Sequence, residues 1–365
     1  MLNCCKMRCQ LVSFYLQIIS YVGAFYPQAL RNRQMTTCSQ TQSVVQGIED
    51  IILQDKYDIY LLDMWGVMHD GSKPYDGVLD TIQKLKEAGK EMIILSNSSK
   101  RQGNSNHMLT KLGFNPHDFA HVITSGEVSY RMLAGDESLK CATWSVLKEI
   151  RARNVLVFGS GSEDEAYCTS AGWSLSSVEE ATLILARGTF TICDGVSVVN
   201  KNDDEAMYNR ILYETLKTAA RRKIPMLVTN PDKVRPDEGL PPMPGAIGDM
   251  YAALLDSSDE AQRLLKRIGK PFQEVYDLAL HGKNKVRACM IGDALETDVT
   301  GGEKYGIDTI WIVKDGIHGP DVIGKGNKFE DGANSILSDF NSQAKGTYAG
   351  SQKLTPTYTL KHFRW

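Results

Sequence analysis

Apolar residues fall along the chain in short blocks, each closed by a polar residue or a glycine. Ile59-Tyr60-Leu61-Leu62 runs into Asp63 and then Gly66. A block of that kind predicts a buried parallel strand that delivers the Asp63 carboxylate to the C-terminal edge of a sheet. Open α/β sheets bind their ligands at that edge. The pattern then turns helical: Ile82, Leu85 and Ala88 share one face of a helix predicted over 78–88, with Gly89 as its stop. Met92-Ile93-Ile94-Leu95 is the next predicted strand and ends in Ser96-Asn97-Ser98-Ser99. Strand, helix and strand at this spacing make a βαβ unit, whose crossover is expected to be right-handed.

The same grammar returns far along the chain. Ala288-Cys289-Met290-Ile291 closes in Gly292-Asp293, and Thr309-Ile310-Trp311-Ile312-Val313 forms another strand assigned to the same sheet. The stretch between has its own alternation, with strands predicted at 155–158, 182–186 and 225–229 and a helix over 203–222. Met207, Ile211, Leu212, Thr215 and Ala219 give that helix an apolar face. The predicted fold is therefore α/β, a Rossmann-like doubly wound parallel-sheet core with a large inserted α/β domain. The core is expected over 49–122 and 236–340 and the insert over 123–235. Residues 341–365 read as a tail, polar at first and then extended around Pro356, with no chemistry visible in them. Gly159-Ser160-Gly161-Ser162 follows a strand but lacks a third spaced glycine or a lysine, so it reads as the turn opening a helix and not as a phosphate cradle.

A length of 365 residues suits about two domains. With 42% apolar residues, 23% charged residues and a formal charge of −3, the composition is that of an ordinary soluble globular protein and gives no sign of a nucleic-acid partner. The basic run Arg221-Arg222-Lys223 falls at a predicted helix end, where cations complement the dipole. The eight cysteines include no C-x-x-C pair, and those in the body sit in apolar surroundings, which predicts buried free thiols.

Residues 1–48 differ in kind: they contain no Asp or Glu and carry Lys6, Arg8, Arg31 and Arg33. The 15-residue apolar run from Leu11 to Phe25 is too short for a membrane span and ends in Val22-Gly23-Ala24, small residues suited to a signal-peptidase site. The junction Gly-Ala-Phe-Tyr-Pro resembles the cleavage motif of plastid precursors in algae with secondary plastids. That resemblance implies a plastid address and a processed protein with no membrane contact. The other reading is a cytoplasmic protein whose translation starts at Met35.

Four polar pieces stand out in order: Asp63-x-x-Gly66-Val67, Ser96-Asn97, Lys270-Pro271 and Gly292-Asp293-x-x-x-Thr297-Asp298. Together they resemble the four signature motifs of the haloacid dehalogenase superfamily. The resemblance narrows to class IIA, over about residues 55–335, through His69-Asp70-Gly71, Thr229-Asn230-Pro231-Asp232, Pro244-Gly245-Ala246 and Gly269-Lys270-Pro271. In that class a cap domain is inserted between the second and third motifs, and here Ser96 and Lys270 lie 174 positions apart.

The resemblance implies phosphoryl transfer with Asp63 as nucleophile. Mg2+ would be held by Asp63, Asp293, Asp298 and the backbone carbonyl of Trp65. Ser96 would bind a phosphoryl oxygen and Lys270 would balance charge. Asn97, Asn230 and Asp232 would bind substrate or order the site near the cap hinge. The physical logic is that a carboxylate approaching a dianionic phosphate needs cations and fixed donors to neutralise both.

One departure matters. Class IIA phosphatases carry a second aspartate at the place of Trp65, where it acts as general acid and base, and indole cannot transfer a proton. His69, six positions after Asp63, is the first substitute to consider, either a proton carrier or a surface histidine on the flap that follows the first strand. Asp70 matches a position that is acidic in relatives retaining the usual acid. The leading expectation is a Mg2+-dependent phosphomonoester hydrolase acting on a small phosphorylated metabolite, with a homodimer through the cap as the family-based guess. Two alternatives stay open: a dehalogenase-like hydrolase of non-phosphoryl substrates, and a non-catalytic phosphometabolite-binding protein.

Overall fold

A computed structural model describes residues 43–139, 142–161, 163–235, 240–322, 325, 328–343, 348–350 and 352–365. The expected targeting segment therefore lies, for residues 1–42, outside the described residues. The strands are, in chain order, β1 (Ser43–Val44), β2 (Ile59–Leu62), β3 (Glu91–Ser96), β4 (His121–Thr124), β5 (Asn154–Gly159), β6 (Ser174–Leu175), β7 (Leu183–Ala186), β8 (Thr191–Cys193), β9 (Val198–Asn200), β10 (Met226–Val228), β11 (Leu265–Arg267), β12 (Ala288–Gly292), β13 (Asp308–Ile312) and β14 (Tyr358–Leu360).

The first sheet has the order β1-β14-β13-β12-β2-β3-β4, and its pairings are parallel throughout. The order reverses between β12 and β3 on either side of β2, the kind of switch point at which doubly wound sheets open a crevice. Period-two alternation in β2 explains why a continuous apolar run is tolerated there. Ile59 and Leu61 belong to one buried cluster, while Tyr60 and Leu62 belong to another on the opposite face.

The second sheet, ordered β11-β10-β7-β5-β8-β9, is built from residues between β4 and β12 and is the insert. Strands β5, β7, β10 and β11 run parallel and the β8–β9 hairpin is added antiparallel. The helix Glu205–Arg221 packs Tyr208, Leu212, Leu216 and Ala219 on Leu156, Phe158 and Ile184. Its buried stripe is rotated from the predicted one: Tyr208 and Leu216 are in, and Met207 is 43% exposed. The helix begins at Asp204, whose side chain accepts from the Met207 N–H at 2.9 Å. On the other face of the insert, Val155, Val157 and Leu185 join the same buried cluster as Ile93 and Leu95 of the first sheet, so one apolar core crosses the junction.

Three expected boundaries move. The insert continues past 235, because β11 at 265–267 pairs with β10 in the second sheet. The tail is not separate: β14 pairs with β13 and β1, and Leu354, Leu360 and Phe363 are buried. Residues 43–48 are likewise part of the fold, with Ile48 fully buried and its N–H donating to the Arg364 carbonyl at 2.7 Å.

Candidate active site

Asp63 follows β2, and its N–H donates to the Ile291 carbonyl of the neighbouring β12 at 2.9 Å. That bond fixes the first carboxylate beside Asp293, which follows β12 directly. Asp298 lies in a π-helical turn over Leu295–Val299, and its carboxylate accepts from the Ala294 N–H at 3.0 Å. One ligand oxygen from each of Asp63, Asp293 and Asp298 lies within 4.8 Å of the others. Lys270 reaches them from the exit of β11: its Nζ is 2.6 Å from Asp63 Oδ1 and 2.7 Å from Asp298 Oδ1. Lys270, Asp293 and Asp298 are all buried, whereas the Asp63 side chain keeps 14% exposure.

Three carboxylates against one ammonium is an incomplete balance, and the electrostatics record it. Burial raises Asp293 well above the carboxylate range, reinforced by Asp298 and Asp63, although its Oδ2 accepts from the Ile317 N–H at 2.7 Å. Burial pushes Asp298 up to about 6 against the pull of Lys270. Burial alone would lower Lys270, but Asp298 and Asp63 outweigh it and hold the ammonium charged. An all-oxygen donor set of this kind, short of positive charge, fits a hard divalent cation. Gly66 leaves the space: at φ +79° it takes a turn that L side chains rarely adopt, and a Cβ there would stand 2.3 Å from Asp293 Oδ2.

The second-motif residues follow β3. Ser96 is buried and its Oγ accepts from the Ser98 N–H at 3.3 Å. Asn97 ties the insert to the lysine loop. Its Nδ2 donates to Asp232 Oδ1 at 2.8 Å and to the Lys270 carbonyl at 3.0 Å, and its Oδ1 accepts from the Lys270 N–H at 2.7 Å. Gly269, at φ +130°, makes this approach feasible, since a Cβ there would lie 2.5 Å from Asn97 Oδ1. Asn230 accepts from the Asp232 N–H at 2.8 Å, closing a small turn at the exit of β10. Burial lifts Asp232 to about 7, opposed by the Asn97 bond and by Lys270. Asp63, Lys270, Asp293 and Asp298 therefore meet, and Asn97, Asn230 and Asp232 form the seam between the two sheets, while among the described residues no hydrogen bond joins Ser96 or the Trp65 carbonyl to those four.

Trp65 sits in the flap after β2, its indole 2.8 Å from where a Gly71 Cβ would be. His69 is not a surface residue: it is 1% exposed, and its Nδ1 accepts from the Gly71 N–H at 3.0 Å. Burial lowers it to about 4, so it is a neutral imidazole at working pH. Asp70 is held near 2 by the Ser72 hydroxyl and by the Lys73 and Ser72 N–H groups, an ionised turn cap.

Several supporting residues give no signal in the sequence. Trp311 Nε1 donates to the Asp293 carbonyl at 2.9 Å. Lys100, after β3, pairs with Glu163 of the insert at 2.6 Å, and Tyr167 donates to the Gly126 carbonyl at 2.6 Å. Within the insert, buried Arg187 pairs with buried Asp164 and stacks its guanidinium 4.2 Å from the Tyr167 ring. Asp164 also accepts from the Gly161 N–H at 2.8 Å, so the glycine-serine loop closes on its own helix, as a turn would. Of the four body cysteines, Cys168, Cys193 and Cys289 are buried free thiols, as predicted, and Cys141 lies outside the described residues.

Two known family models match the chain. A haloacid dehalogenase-like hydrolase model matches residues 60–174, and a HAD-hydrolase-like model matches residues 267–341. The chain belongs to the haloacid dehalogenase superfamily. This superfamily member is 26% identical over 303 residues to phosphoglycolate phosphatase 2 of Arabidopsis thaliana, covering 79% of this chain and 93% of that protein. It is 26% identical to glycerol-3-phosphate phosphatase of Gallus gallus, covering 69% and 78%. In fold it is similar to a haloacid dehalogenase-like hydrolase from Brucella suis, with a TM-score of 0.57, 23% identity and coverage of 76% and 92%. It is a hydrolase of the haloacid dehalogenase type.

Proposed function

We propose that the protein is a magnesium-dependent phosphomonoesterase that forms an aspartyl phosphate at Asp63 and acts on a small phosphorylated metabolite. The observation that carries this reading is the cluster itself: three carboxylates around one buried lysine, with Asp63 alone of the four partly exposed. Relatives named as phosphatases support it.

In this reading Asp63, Asp293 and Asp298, with the Trp65 carbonyl, would hold Mg2+, which would supply positive charge against the nucleophile and the phosphate. The Asp63 oxygen turned from Lys270 attacks phosphorus and the ester oxygen departs with its electron pair. Lys270 compensates the charge of Asp63 and Asp298. The Ser96 hydroxyl donates to a phosphoryl oxygen. Asn97, Asn230 and Asp232 act by position, since the Asn97 amide and the Asn230 carbonyl oxygen bind the protein's own groups. Dehalogenase-like chemistry would have no use for the buried pair Asp293 and Asp298, which argues for the phosphoryl reading.

The test is Asp63→Asn. The near-isosteric change removes the nucleophilic charge, so turnover of 4-nitrophenyl phosphate is expected to vanish while the fold persists. Activity above about one percent of wild type would point to direct attack by water instead of an aspartyl intermediate.

A further inference from the structure

Residues after the helix Phe329–Gln343 lie beyond the matched superfamily stretch, which ends at 341. One of them, Tyr348, nevertheless reaches the seam between the two sheets. Its hydroxyl donates to the Pro231 carbonyl at 2.7 Å, within the turn that positions Asp232. Its ring meets the Phe272 ring edge-on, at 5.4 Å between centroids, two residues after Lys270. Its N–H donates to Glu296 Oε1 at 3.3 Å, inside the π-helical turn that carries Asp298. Lys233 lies over the ring at 4.7 Å and bridges Glu296 at 3.0 Å and Asp249 at 3.3 Å. Lys304 donates to the Tyr348 carbonyl. A single residue thus touches both strand exits of the insert with its side chain and the turn of the third carboxylate with its backbone N–H.

We infer that Tyr348 is a positioning residue: it locks the exits of β10 and β11 against the core so that Asp232, Lys270 and Asp298 hold their mutual geometry. The bond to Pro231 fixes where the Asn230-Pro231-Asp232 turn stands, and Asn97 then transmits that placement to the Lys270 loop. Burial keeps the phenol protonated, so it remains a donor across the working range. The inference rests on the phosphatase reading only for the kinetic part of its test.

Full-length Tyr348→Phe keeps the ring and loses the hydroxyl, and Tyr348→Leu loses both. The measurements are melting temperature, hydrogen exchange of peptides covering 229–233 and 267–272, and kcat and KM on 4-nitrophenyl phosphate. For Tyr348→Phe the expected result is faster exchange in 229–233, an unchanged melting temperature and a kcat lowered about three- to tenfold with KM less affected, the scale of one lost hydrogen bond. Tyr348→Leu should lose more than about tenfold and loosen both segments. Unaltered local exchange and kcat in Tyr348→Leu, or a drop in melting temperature with no local change, overturns the inference and leaves the ring as packing alone. If wild type hydrolyses no phosphate ester, the functional proposal fails, and the exchange data still decide the role of Tyr348.

Discussion

If the carboxylate cluster holds Mg2+ as proposed, removing the ion should lower stability by an amount that depends on pH, and the structure gives the sign. Asp298 is lifted from the ordinary 3.8 to about 6, and Asp293 is lifted well above the carboxylate range by burial, Asp298 and Asp63. A raised folded pKa means that the metal-free fold binds protons more tightly than the unfolded chain. Its stabilising contribution is complete below about 3.8 and is lost as pH rises through about 6. The cation reverses this, because it takes the place of those protons. At a Mg2+ concentration of about 100 times Kd the gain is about 2.7 kcal/mol. A folded unit of this size unfolds with about 0.7 kcal/mol/K of entropy, so the melting temperature at pH 8 should rise by about 4 °C over a chelated sample. At pH 5 the proton on Asp298 costs about tenfold in affinity, which cuts the shift to about 2 °C or less. One buried cluster spans both sheets, so a single transition is expected. Differential scanning fluorimetry with Mg2+ or EDTA at both pH values measures it. Equal melting temperatures at pH 8, or the same Mg2+ shift in Asp293→Asn, would refute the reasoning.

Two further outcomes follow from the same geometry. Arg187→Met leaves buried Asp164 without its cation, and the cost should be about 3–5 kcal/mol, or 4–7 °C; the double change Arg187→Met with Asp164→Leu should recover most of it, and a single variant that melts within 1 °C of wild type would remove the pair from the account. Trp65→Asp should raise turnover of alkyl phosphates, by up to the roughly 10²–10⁴-fold a general acid supplies, while aryl phosphates gain little. A wild-type rate independent of leaving-group pKa would show that some other group already donates the proton.

Most of what was legible in the sequence was legible because it was buried on both faces. β2, β3, β5, β7, β12 and β13 are continuous apolar runs, and each was placed to within about two residues. β11 escaped notice because Leu265-Lys266-Arg267 carries two charges. In the structure Lys266 turns to Glu274 and Arg267 to Asp249, so the strand sheds its charges sideways into ion pairs. β14 escaped because a strand of three residues has no period to read. The site motifs were visible because each is a distinctive residue at a strand end. Their supports were not, since a backbone donor such as the Ile317 N–H to Asp293 has no residue signature, and Tyr348 reaches Pro231 across more than a hundred positions.

Trp65 bears on which phosphates such a site can cleave. A carboxylate at that place would add a fourth negative group beside Asp63, Asp293 and Asp298, with Lys270 their only paired ammonium among the described residues. Indole removes that repulsion against a dianionic phosphate, and it removes the proton donor as well. His69 does not restore the donor: with Nδ1 accepting from Gly71, its single proton sits on Nε2 of an uncharged ring, a far weaker acid than a carboxyl group. Asp70 is fully ionised within its turn. The charge that develops on the departing oxygen must then be carried by the leaving group itself. This favours aryl and acyl phosphates, whose oxygens accept that charge at far lower pKa than an alkoxide.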